Sequence, residues 1–250
     1  MFINNLKILF HQGKQFIPDV TTTEVPGVFR GRPVITDAAC NEQQLIDLCP
    51  TGAISGKPLS IDLGRCTFCG ECAIACPEKI RFTKDYKMAT NDRNRLIVTG
   101  DQPIEVDADK VRTEIHKLFG RSLKLREVSA AGDNSCEWEL NATSNVNFDM
   151  GRFGIDFVAS PRHADGIVVT GPISENMAEA LEICYHATPD PKILILAGTD
   201  AISGGIFADS PALNRSFLDK YKVDLFVPGN PVHPLAFVNG VLSLVRGKKK

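Results

Sequence analysis

The sequence has no apolar run of the roughly 18–20 residues that a helix needs to cross a bilayer. It also lacks an excess of charge of either sign, since 28 basic residues face 30 acidic ones and the formal net charge is −2. A nearly neutral chain has no basic field to hold a phosphate backbone, so we expect no nucleic acid among its partners. With 43% hydrophobic and 23% charged residues, the composition is that of an ordinary globular protein.

Signals for export, nucleotide binding and nucleophilic catalysis are missing too. Residues 1–10 contain neither a basic region nor a small-residue cleavage site, so we expect no secretory signal and a cytoplasmic location. The pair Gly204-Gly205 stands outside any G-x-G-x-x-G pattern, so no dinucleotide partner is expected. No Ser-His-Asp or Cys-His arrangement supports a nucleophile, so the chain is not expected to be catalytic alone.

Apolar residues of the N-terminal segment recur at helical spacing, at Phe2, Ile3, Leu6, Leu9 and Phe10. They predict a short amphipathic helix that docks on its own protein or a partner, with a membrane surface as the alternative. At the other end, residues 248–250 are three lysines, which we expect to be a solvated terminus.

Cysteine, in contrast, is abundant. The segment from Cys66 to Pro77 has the spacing C-x2-C-x2-C-x3-C-P, which holds iron–sulfur clusters through thiolates in bacterial ferredoxins. Even numbers of cysteines suggest disulfides in secreted chains, but this spacing favours thiolate ligands in a reducing cytosol. The eight cysteines are Cys40, Cys49, Cys66, Cys69, Cys72, Cys76, Cys136 and Cys184.

The ligands of one cluster follow from the ferredoxin rule that three cysteines of a run bind one cluster and the fourth binds the other. Applied here, the rule gives one [4Fe–4S] cluster with the ligands Cys49, Cys66, Cys69 and Cys72. Cys49-Pro50 supports this assignment, because it repeats Cys76-Pro77 ahead of an apolar residue. Cys76 is the alternative fourth ligand, and a structural zinc with four thiolates is the alternative cofactor.

The first repeat has lost the cysteines of a second ferredoxin cluster. Counting back from Cys49 at the ferredoxin spacing gives three residues that are not cysteine, Leu45, Glu42 and Ala39. Cys40 is one position out of register. We therefore predict a single cluster in this region, with Leu45 and Leu48 filling the space of the second.

Four segments follow one another along the chain. They are an N-terminal arm at 1–32, a ferredoxin-like [4Fe–4S] domain at 33–90, a linker with one helix at 91–120, and a last domain at 121–250. In the last domain, short apolar runs that end in glycine alternate with helical stretches, which predicts an open parallel sheet. The expected fold class is an α+β ferredoxin-like module followed by an α/β open parallel-sheet domain of the flavodoxin-like kind.

The expected elements of the last two segments can be placed by their periodicity. Strands are expected at Ser122–Val128, Ile155–Ala159, Asp165–Gly171, Lys192–Gly198 and Val223–Gly229. Helical stretches are expected at Asp109–Phe119, Ser174–His186, Pro211–Tyr221 and Leu235–Val245.

Several motifs resemble those of a known family. The residues 29–35 and 87–93 flank the cysteine run much as in ferredoxin-like subunits of membrane-bound [NiFe] hydrogenases. From about residue 121 onward, the chain resembles the small electron-transfer subunit of those hydrogenases and the twenty-kilodalton subunit of respiratory complex I. The motifs are Ser160–Gly166, Val169–Met177, Ala201–Phe207 and Val227–Pro231. The resemblance implies a fusion of both subunit types.

The chain departs from the family at the ligands of the family's own proximal [4Fe–4S] cluster. Four cysteines are implied there, and the corresponding residues are Asp133, Cys136, Asp200 and Asn230. Because carboxylate and amide oxygens suit harder ions than a cluster, we expect the proximal cluster to be absent. The positions follow strands of a parallel sheet and are expected to converge. An empty polar site, a Zn²⁺ or Mg²⁺ ion, and a cluster with Asp ligands and one thiolate stay open.

Three further residues stand out. Cys184 lies on an apolar helical face and is expected in the core. His163, next to Arg162, is expected at a partner interface, with proton coupling or quinone contact as the alternative that the resemblance implies. His233 is expected at the surface.

Together, the motifs and the resemblance predict an iron–sulfur electron-transfer subunit of a multisubunit, membrane-associated, hydrogenase-related and complex I-like oxidoreductase. The implied partners are a hydrogenase large-subunit-like protein and the membrane subunits of the same complex. The chain is expected to lie peripheral to the inner membrane through those subunits. The alternative is a structural or docking subunit whose redox chain is interrupted. Hydrogen turnover is not expected of the chain alone, because the family's nickel site belongs to another subunit.

Overall fold

A computed structural model of the chain describes residues 2–13, 16–25 and 27–247. The basic tail at residues 248–250 lies outside the described residues. Among the described helices, none combines the length and the hydrophobicity of a membrane span.

The N-terminal segment forms helix α1 (Phe2–Gln12), as its periodicity predicts. From Ile3 onward its apolar side chains are exposed to solvent, and the ring of Phe10 is the extreme case at 84% exposed. Docking of this helix on its own protein, one of the expected alternatives, is therefore wrong. Since apolar side chains on an amphipathic helix gain stability only when covered, the exposed side of α1 offers a contact surface for a partner.

Two small antiparallel sheets surround the cysteine run. One pairs β1 with β4, and the other has the order β2-β3-β5. The β5 strand belongs to this region although it lies beyond residue 90, where the sequence predicts a boundary, and the boundaries stay a prediction. The elements are β1 (Pro33–Ile35), α2 (Glu42–Leu48), β2 (Ile54–Ser55), β3 (Ser60–Asp62), α3 (Glu71–Ala75), β4 (Ile80–Phe82) and β5 (Ile97–Val98).

The second half of the chain forms a five-stranded sheet with the order β10-β9-β8-β6-β7, in which every pair is parallel. The alternation of buried strands and helices therefore predicted the α/β class correctly. The strands are β6 (Leu123–Ser129), β7 (Ile155–Phe157), β8 (Gly166–Thr170), β9 (Ile193–Ala197) and β10 (Leu225–Val227). The helices are α4 (Thr113–Phe119), α5 (Ser135–Ala142), α6 (Glu175–Ala187), α7 (Thr199–Ser203), α8 (Phe217–Lys220) and α9 (Pro234–Arg246).

Helix bounds differ from the predicted ones mainly at the starts. The stretch at Asp109–Phe119 becomes a helix only from Thr113, after a 3₁₀ turn at Ala108–Lys110. In Pro211–Tyr221 the helix is limited to Phe217–Lys220. Each of these stretches carries a polar, loop-like first half, which periodicity of the apolar residues does not detect.

The sheet separates two hydrophobic layers. Val168 on one face of β8 packs in the layer that contains α9, whereas Ile167 and Val169 face the other layer. That second layer also includes Ile61 and Leu63 from the cysteine-rich region. Because one continuous layer joins the two regions, the cysteine run is held directly against one face of the parallel sheet.

Arg215 fixes the loops at one edge of this layer. Its guanidinium is half-buried and donates hydrogen bonds to four backbone carbonyls, those of Pro172, Asp200, Ala201 and Ile202. These carbonyls belong to the loop after β8 and to α7. Since a buried carbonyl without a donor is costly, Arg215 determines the position of α7.

We expect the substitution Arg215→Ala to lower the free energy of unfolding by about 3 kcal/mol, because it leaves several carbonyls without a donor. Denaturant titration followed by far-ultraviolet circular dichroism measures the change. Arg81→Ala, at an exposed position on β4, is the matched control and should stay within about 0.5 kcal/mol of the parent. Equal midpoints for the two variants would contradict the role given to Arg215.

Candidate metal centre

Four cysteines line one cavity in the cysteine-rich region, which we call the cage: Cys49, Cys66, Cys69 and Cys72. Cys49 caps the end of α2, Cys72 lies within α3, and the other two lie in the loop that leads into α3. The remaining wall is largely apolar and includes Ile54, Ile61 and Phe82. The structure thus brings together the four residues that the ferredoxin rule assigns to one cluster.

Local sequence explains how these cysteines reach the cavity. A residue before proline avoids the helical conformation, and α2 accordingly ends where Cys49-Pro50 begins. In the loop, Phe68 and Gly70 adopt positive φ angles of 56° and 85°, which reverse the chain between the ligands. The φ of 85° at Gly70 is strained for a residue with a side chain, and a Cβ there would also lie 2.8 Å from Nε of Arg30, which favours glycine.

The electrostatics of the cage suit a cationic group. Burial raises the pKa of Cys66 to about 12 and that of Cys72 to about 11, and the neighbouring cysteines add to both rises. Without added positive charge these sulfurs would be neutral thiols, whereas bound iron would hold them as thiolates. The site therefore couples loss of thiol protons to metal binding.

Backbone amides point at two of the sulfurs. The Phe68 amide donates to Sγ of Cys66 at 3.3 Å, and the Ala53 amide donates to Sγ of Cys49 at 3.2 Å. Such N–H···S bonds stabilise the negative charge of cluster ligands and tune the reduction potential. Four thiol donors, an apolar wall and amide donors together fit a [4Fe–4S] cluster.

Single-ion geometry is not found. In the described ranges, no group of three or more His, Cys, Asp or Glu side chains could hold one metal ion. A structural zinc with four thiolates stays the alternative cofactor of the cage.

Cys40 and Cys76 form a disulfide, with their Cα atoms 6.6 Å apart. This bond corrects the expectation that thiolate chemistry, rather than disulfides, accounts for these cysteines. It also separates Cys76, the alternative fourth ligand, from the cage, because Cys76 is absent from the described residues that line the cavity. Leu45 is buried as expected, but Leu48 is 41% exposed, so it does not fill the space of a second cluster.

The positions that replace the proximal-cluster cysteines also lie together, and we call them the second site: Asp133, Cys136, Asp200 and Asn230. They follow β6, β9 and β10 at the carboxyl edge of the sheet. Burial raises the pKa of Cys136 to about 12, and the nearby charges of Asp200 and Asp133 add to the rise. The Thr199 amide donates to the Gly229 carbonyl at 2.9 Å, which joins the loops that carry Asp200 and Asn230.

Two carboxylate oxygens at the second site find no hydrogen-bond partner among the described residues: Oδ1 of Asp200 and Oε2 of Glu137. Burial raises the pKa of Asp200, the charge of Asp133 raises it further, and Arg215 opposes the rise. The other oxygen of Glu137 accepts from Ser129 and Thr170 at 2.6 and 2.7 Å. The second site is thus rich in oxygen and poor in sulfur.

Three residues near these sites were not predicted from the sequence: Thr199, Glu127 and Glu137. Burial raises the pKa of Glu127 to about 7, and the charge of Glu137 adds to the rise. The position of Glu137 directly after Cys136 could have indicated that its side chain lies near the second site. No local signal marks Thr199 or Glu127, since their roles depend on contacts between distant segments.

Thr199 connects the two sites. Its hydroxyl donates to the carbonyl of Cys66 at 2.8 Å, and the Gly229 carbonyl lies 3.2 Å from the same hydroxyl. Asp200 follows directly in α7. The cage loop is therefore bonded to the segment that carries a second-site residue.

The remaining candidate residues agree only in part with the positions expected from the sequence. Arg162 and His163 are exposed in a 3₁₀ turn, and Cys184 is half-buried against the core. His233, expected at the surface, is half-buried. Its Nδ1 accepts from the Leu235 amide at 3.2 Å and caps α9, and burial lowers its pKa, which keeps the ring neutral for that role.

The cage and the sheet beneath it define a class: iron–sulfur proteins in which a ferredoxin-type cysteine loop is joined to a parallel α/β domain. Comparison with family models agrees. Residues 134–244 match the family described as NADH ubiquinone oxidoreductase, 20 Kd subunit, and residues 59–81 match the 4Fe-4S binding domain.

Individual relatives extend the match. The chain is 38% identical over 134 residues to the probable membrane-bound hydrogenase subunit mbhJ of Pyrococcus furiosus, covering 54% of this chain and 80% of that protein. It is 36% identical over 157 residues to an NADH-quinone oxidoreductase subunit of Desulfovibrio desulfuricans, covering 58% and 85%. This chain therefore belongs to the family of the complex I 20 kDa subunit and the hydrogenase small subunit, and the resemblance seen in its motifs is confirmed.

Among solved structures, the chain is similar to one from the membrane-bound sulfane sulfur reductase (MBS), an archaeal respiratory membrane complex. The identity is 31% and the TM-score is 0.44. The match covers 50% of this chain and 69% of the other.

Proposed function

We propose that this chain is an iron–sulfur electron-transfer subunit of a multisubunit, membrane-associated complex related to hydrogenases and complex I. The observation that carries the proposal is the cage, which joins a ferredoxin-type ligand set to a domain of this family. The relatives support it, since their names place them in membrane-bound hydrogenase and NADH-quinone oxidoreductase.

The proposed cofactor is one [4Fe–4S] cluster, which would carry one electron at a time. The ligands would be the four cage cysteines, Cys49, Cys66, Cys69 and Cys72. The wall of the cage is largely apolar, and the amides of Phe68 and Ala53 would stabilise charge on the ligand sulfurs. The domain limits at residues 32, 90 and 120 belong to the same proposal.

We propose further that the second site holds no cluster. Three of its four positions carry oxygen ligands, which an iron–sulfur cluster does not favour. The cage would then be the last redox centre of the chain. Because Thr199 bonds the cage loop to the segment of Asp200, a partner that covers the second site would lie close to the cage.

The proposed partner over the second site is a hydrogenase large-subunit-like protein. Exposed apolar side chains surround this site: Trp138, two residues after Cys136, is 72% exposed, and Ile206 and Phe207 follow α7 on the surface. Such a patch on a polar surface is typical of a protein interface. Membrane subunits of the complex are the proposed means by which the chain is held at the inner membrane.

Purification of the tagged chain from its native membranes tests this arrangement. We expect a large-subunit-like protein and membrane subunits to copurify with the parent chain and to be lost with Trp138→Asp. Ile183→Asp, on the exposed side of α6, is the matched control and should retain the partners. If both variants retain them equally, the face around Trp138 is not the docking surface.

The oxygen-rich second site favours one other function, a docking subunit with an interrupted redox chain. Rapid reduction of the cluster distinguishes the electron-transfer function from the docking function. If the chain transfers electrons, the reduced-cluster signal in low-temperature EPR decays faster in the complex than in the isolated chain. Equal decay in both samples supports the docking function.

A further inference from the structure

Cysteines lie at both ends of the pair formed by helices α2 and α3. At one end, Cys49 caps α2 and meets Cys72 of α3 in the cage. At the other end, Cys40 precedes the cap residue of α2 and is bonded to Cys76, which caps α3. The cage at one end and the disulfide at the other therefore define the position of α2, and with it the position of Cys49.

The disulfide is open to exchange. Cys40 and Cys76 are half-buried, and the residues beside them in the chain, Ala39, Asn41 and Pro77, are exposed. A small dithiol can therefore approach the bond, which is the first requirement for exchange. The cage cysteines, in contrast, are free and offer a reductant no S–S bond, so the same reagent has only the Cys40–Cys76 bond to reduce.

Other contacts hold α2 less firmly than the disulfide does. Lys79, which follows α3, pairs with Glu42 of α2 at 3.6 Å. The side chain of Leu45, also in α2, is buried in the core. A partly exposed ion pair is weak, and a helix of this length has little stability of its own. Opening the disulfide would leave α2 with these contacts and with Cys49 as its remaining sulfur tether.

We propose that Cys40 and Cys76 form a reducible thiol–disulfide site that controls how firmly Cys49 is held in the cage, with dithiol reductants as its substrates. This control rests on the proposed cluster. In the reaction, a thiolate of the dithiol attacks one sulfur of the bond and forms a mixed disulfide, and the second thiol of the reductant releases it. The reductant loses two electrons and two protons and becomes a disulfide, while Cys40 and Cys76 become thiols.

Thiol labelling tests the site itself. The full chain is unfolded anaerobically and alkylated, and the modified peptides are identified by mass spectrometry. We expect Cys40 and Cys76 to stay unlabelled without reductant and to take up label after dithiothreitol, whereas Cys184 is labelled in both samples. Labelling of Cys40 and Cys76 without reductant would overturn the proposal.

Cluster release tests the control of Cys49. Loss of the cluster absorbance to an iron chelator is followed under anaerobic conditions. Since a cross-link of this kind restrains the opened state, we expect release to be about tenfold faster after dithiothreitol treatment, and equally fast in Cys40→Ser/Cys76→Ser. The double variant should not respond to dithiothreitol, and Cys184→Ser should behave as the parent. Equal release before and after reduction of the parent contradicts the proposal.

Different results would overturn the proposed cluster, the disulfide site and the control of Cys49. A chain that contains no iron but whose disulfide titrates would overturn the proposed cluster and the control of Cys49. A cluster that is lost completely in Cys76→Ser would make Cys76 a ligand and would overturn the disulfide site. A cluster that is present and whose release ignores the disulfide would overturn only the control of Cys49 by the disulfide.

Discussion

Replacing Cys49 by serine is expected to remove the cluster, so that the iron content falls from about four atoms per chain to near zero. Serine offers a hard oxygen in place of a soft thiolate, and no fifth cysteine lies among the described residues that line the cage. Iron and sulfide analysis, together with low-temperature EPR of the dithionite-reduced chain, measures the loss. The same result is expected for serine at the other cage positions, Cys66, Cys69 and Cys72.

Cys76→Ser is the decisive comparison for this prediction. If Cys49 is the fourth ligand, Cys76→Ser keeps its four irons when freshly assembled, and only its rate of release changes. If instead Cys76→Ser loses the cluster and Cys49→Ser keeps it, the ligand assignment is reversed. About eight irons in the parent chain would contradict the single cluster altogether. Cys184→Ser controls for the general effect of removing a thiol.

Local pattern was sufficient to predict the α/β half of the chain. The apolar runs of β8 and β9 are buried on both sides, so their composition depends little on which neighbours cover them. Helix α9 was equally clear, because nearly every residue of it is buried. The spacing of the cysteine run also indicated that Cys66, Cys69 and Cys72 lie around one cavity, since the loop that positions them is short and its conformation is local.

Contacts between distant segments could not be predicted in this way. Cys40 is out of register for a cluster ligand, but a disulfide requires only that two Cα atoms approach, and that approach depends on how α2 packs against α3. The bond between Thr199 and Cys66 joins residues that no sequence pattern connects. His233 looked like a surface residue because its value as a cap depends on the start of α9 and on the rings packed beside it.

The hydrogen bond from Thr199 to the carbonyl of Cys66 bears on where an electron can leave the cage. The loss of ligands at the second site suggested that the cage has no acceptor within reach. In the fold, however, the cage loop is bonded to the segment that carries Asp200, so the cage itself lies at the edge of the second site. A partner seated there could receive the electron without a second cluster, which favours electron transfer over the docking alternative.

Restoring the missing thiolates should rebuild a cluster at the second site. In the triple variant Asp133→Cys/Asp200→Cys/Asn230→Cys, we expect the iron content to rise from about four to about eight atoms per chain. The retained Cys136 is half-buried, and the charges of Asp133 and Asp200 already act on it, so the new sulfurs would share one crevice. Replacing the half-buried carboxylate of Asp200 by a thiol also removes its unpartnered oxygen.

The triple serine variant at the same positions is the matched control, since it removes the carboxylates without adding sulfur. It should keep about four irons. In the cysteine variant, two clusters this close should also couple magnetically, and the EPR spectrum of the reduced chain should broaden and split relative to the parent. If both variants hold four irons, the four positions of the second site no longer have the geometry that a cluster needs, and the loss of thiolates is not the sole change there. The cage, anchored by Thr199, would then be the only place on the described surface from which an electron could pass to a partner over the second site.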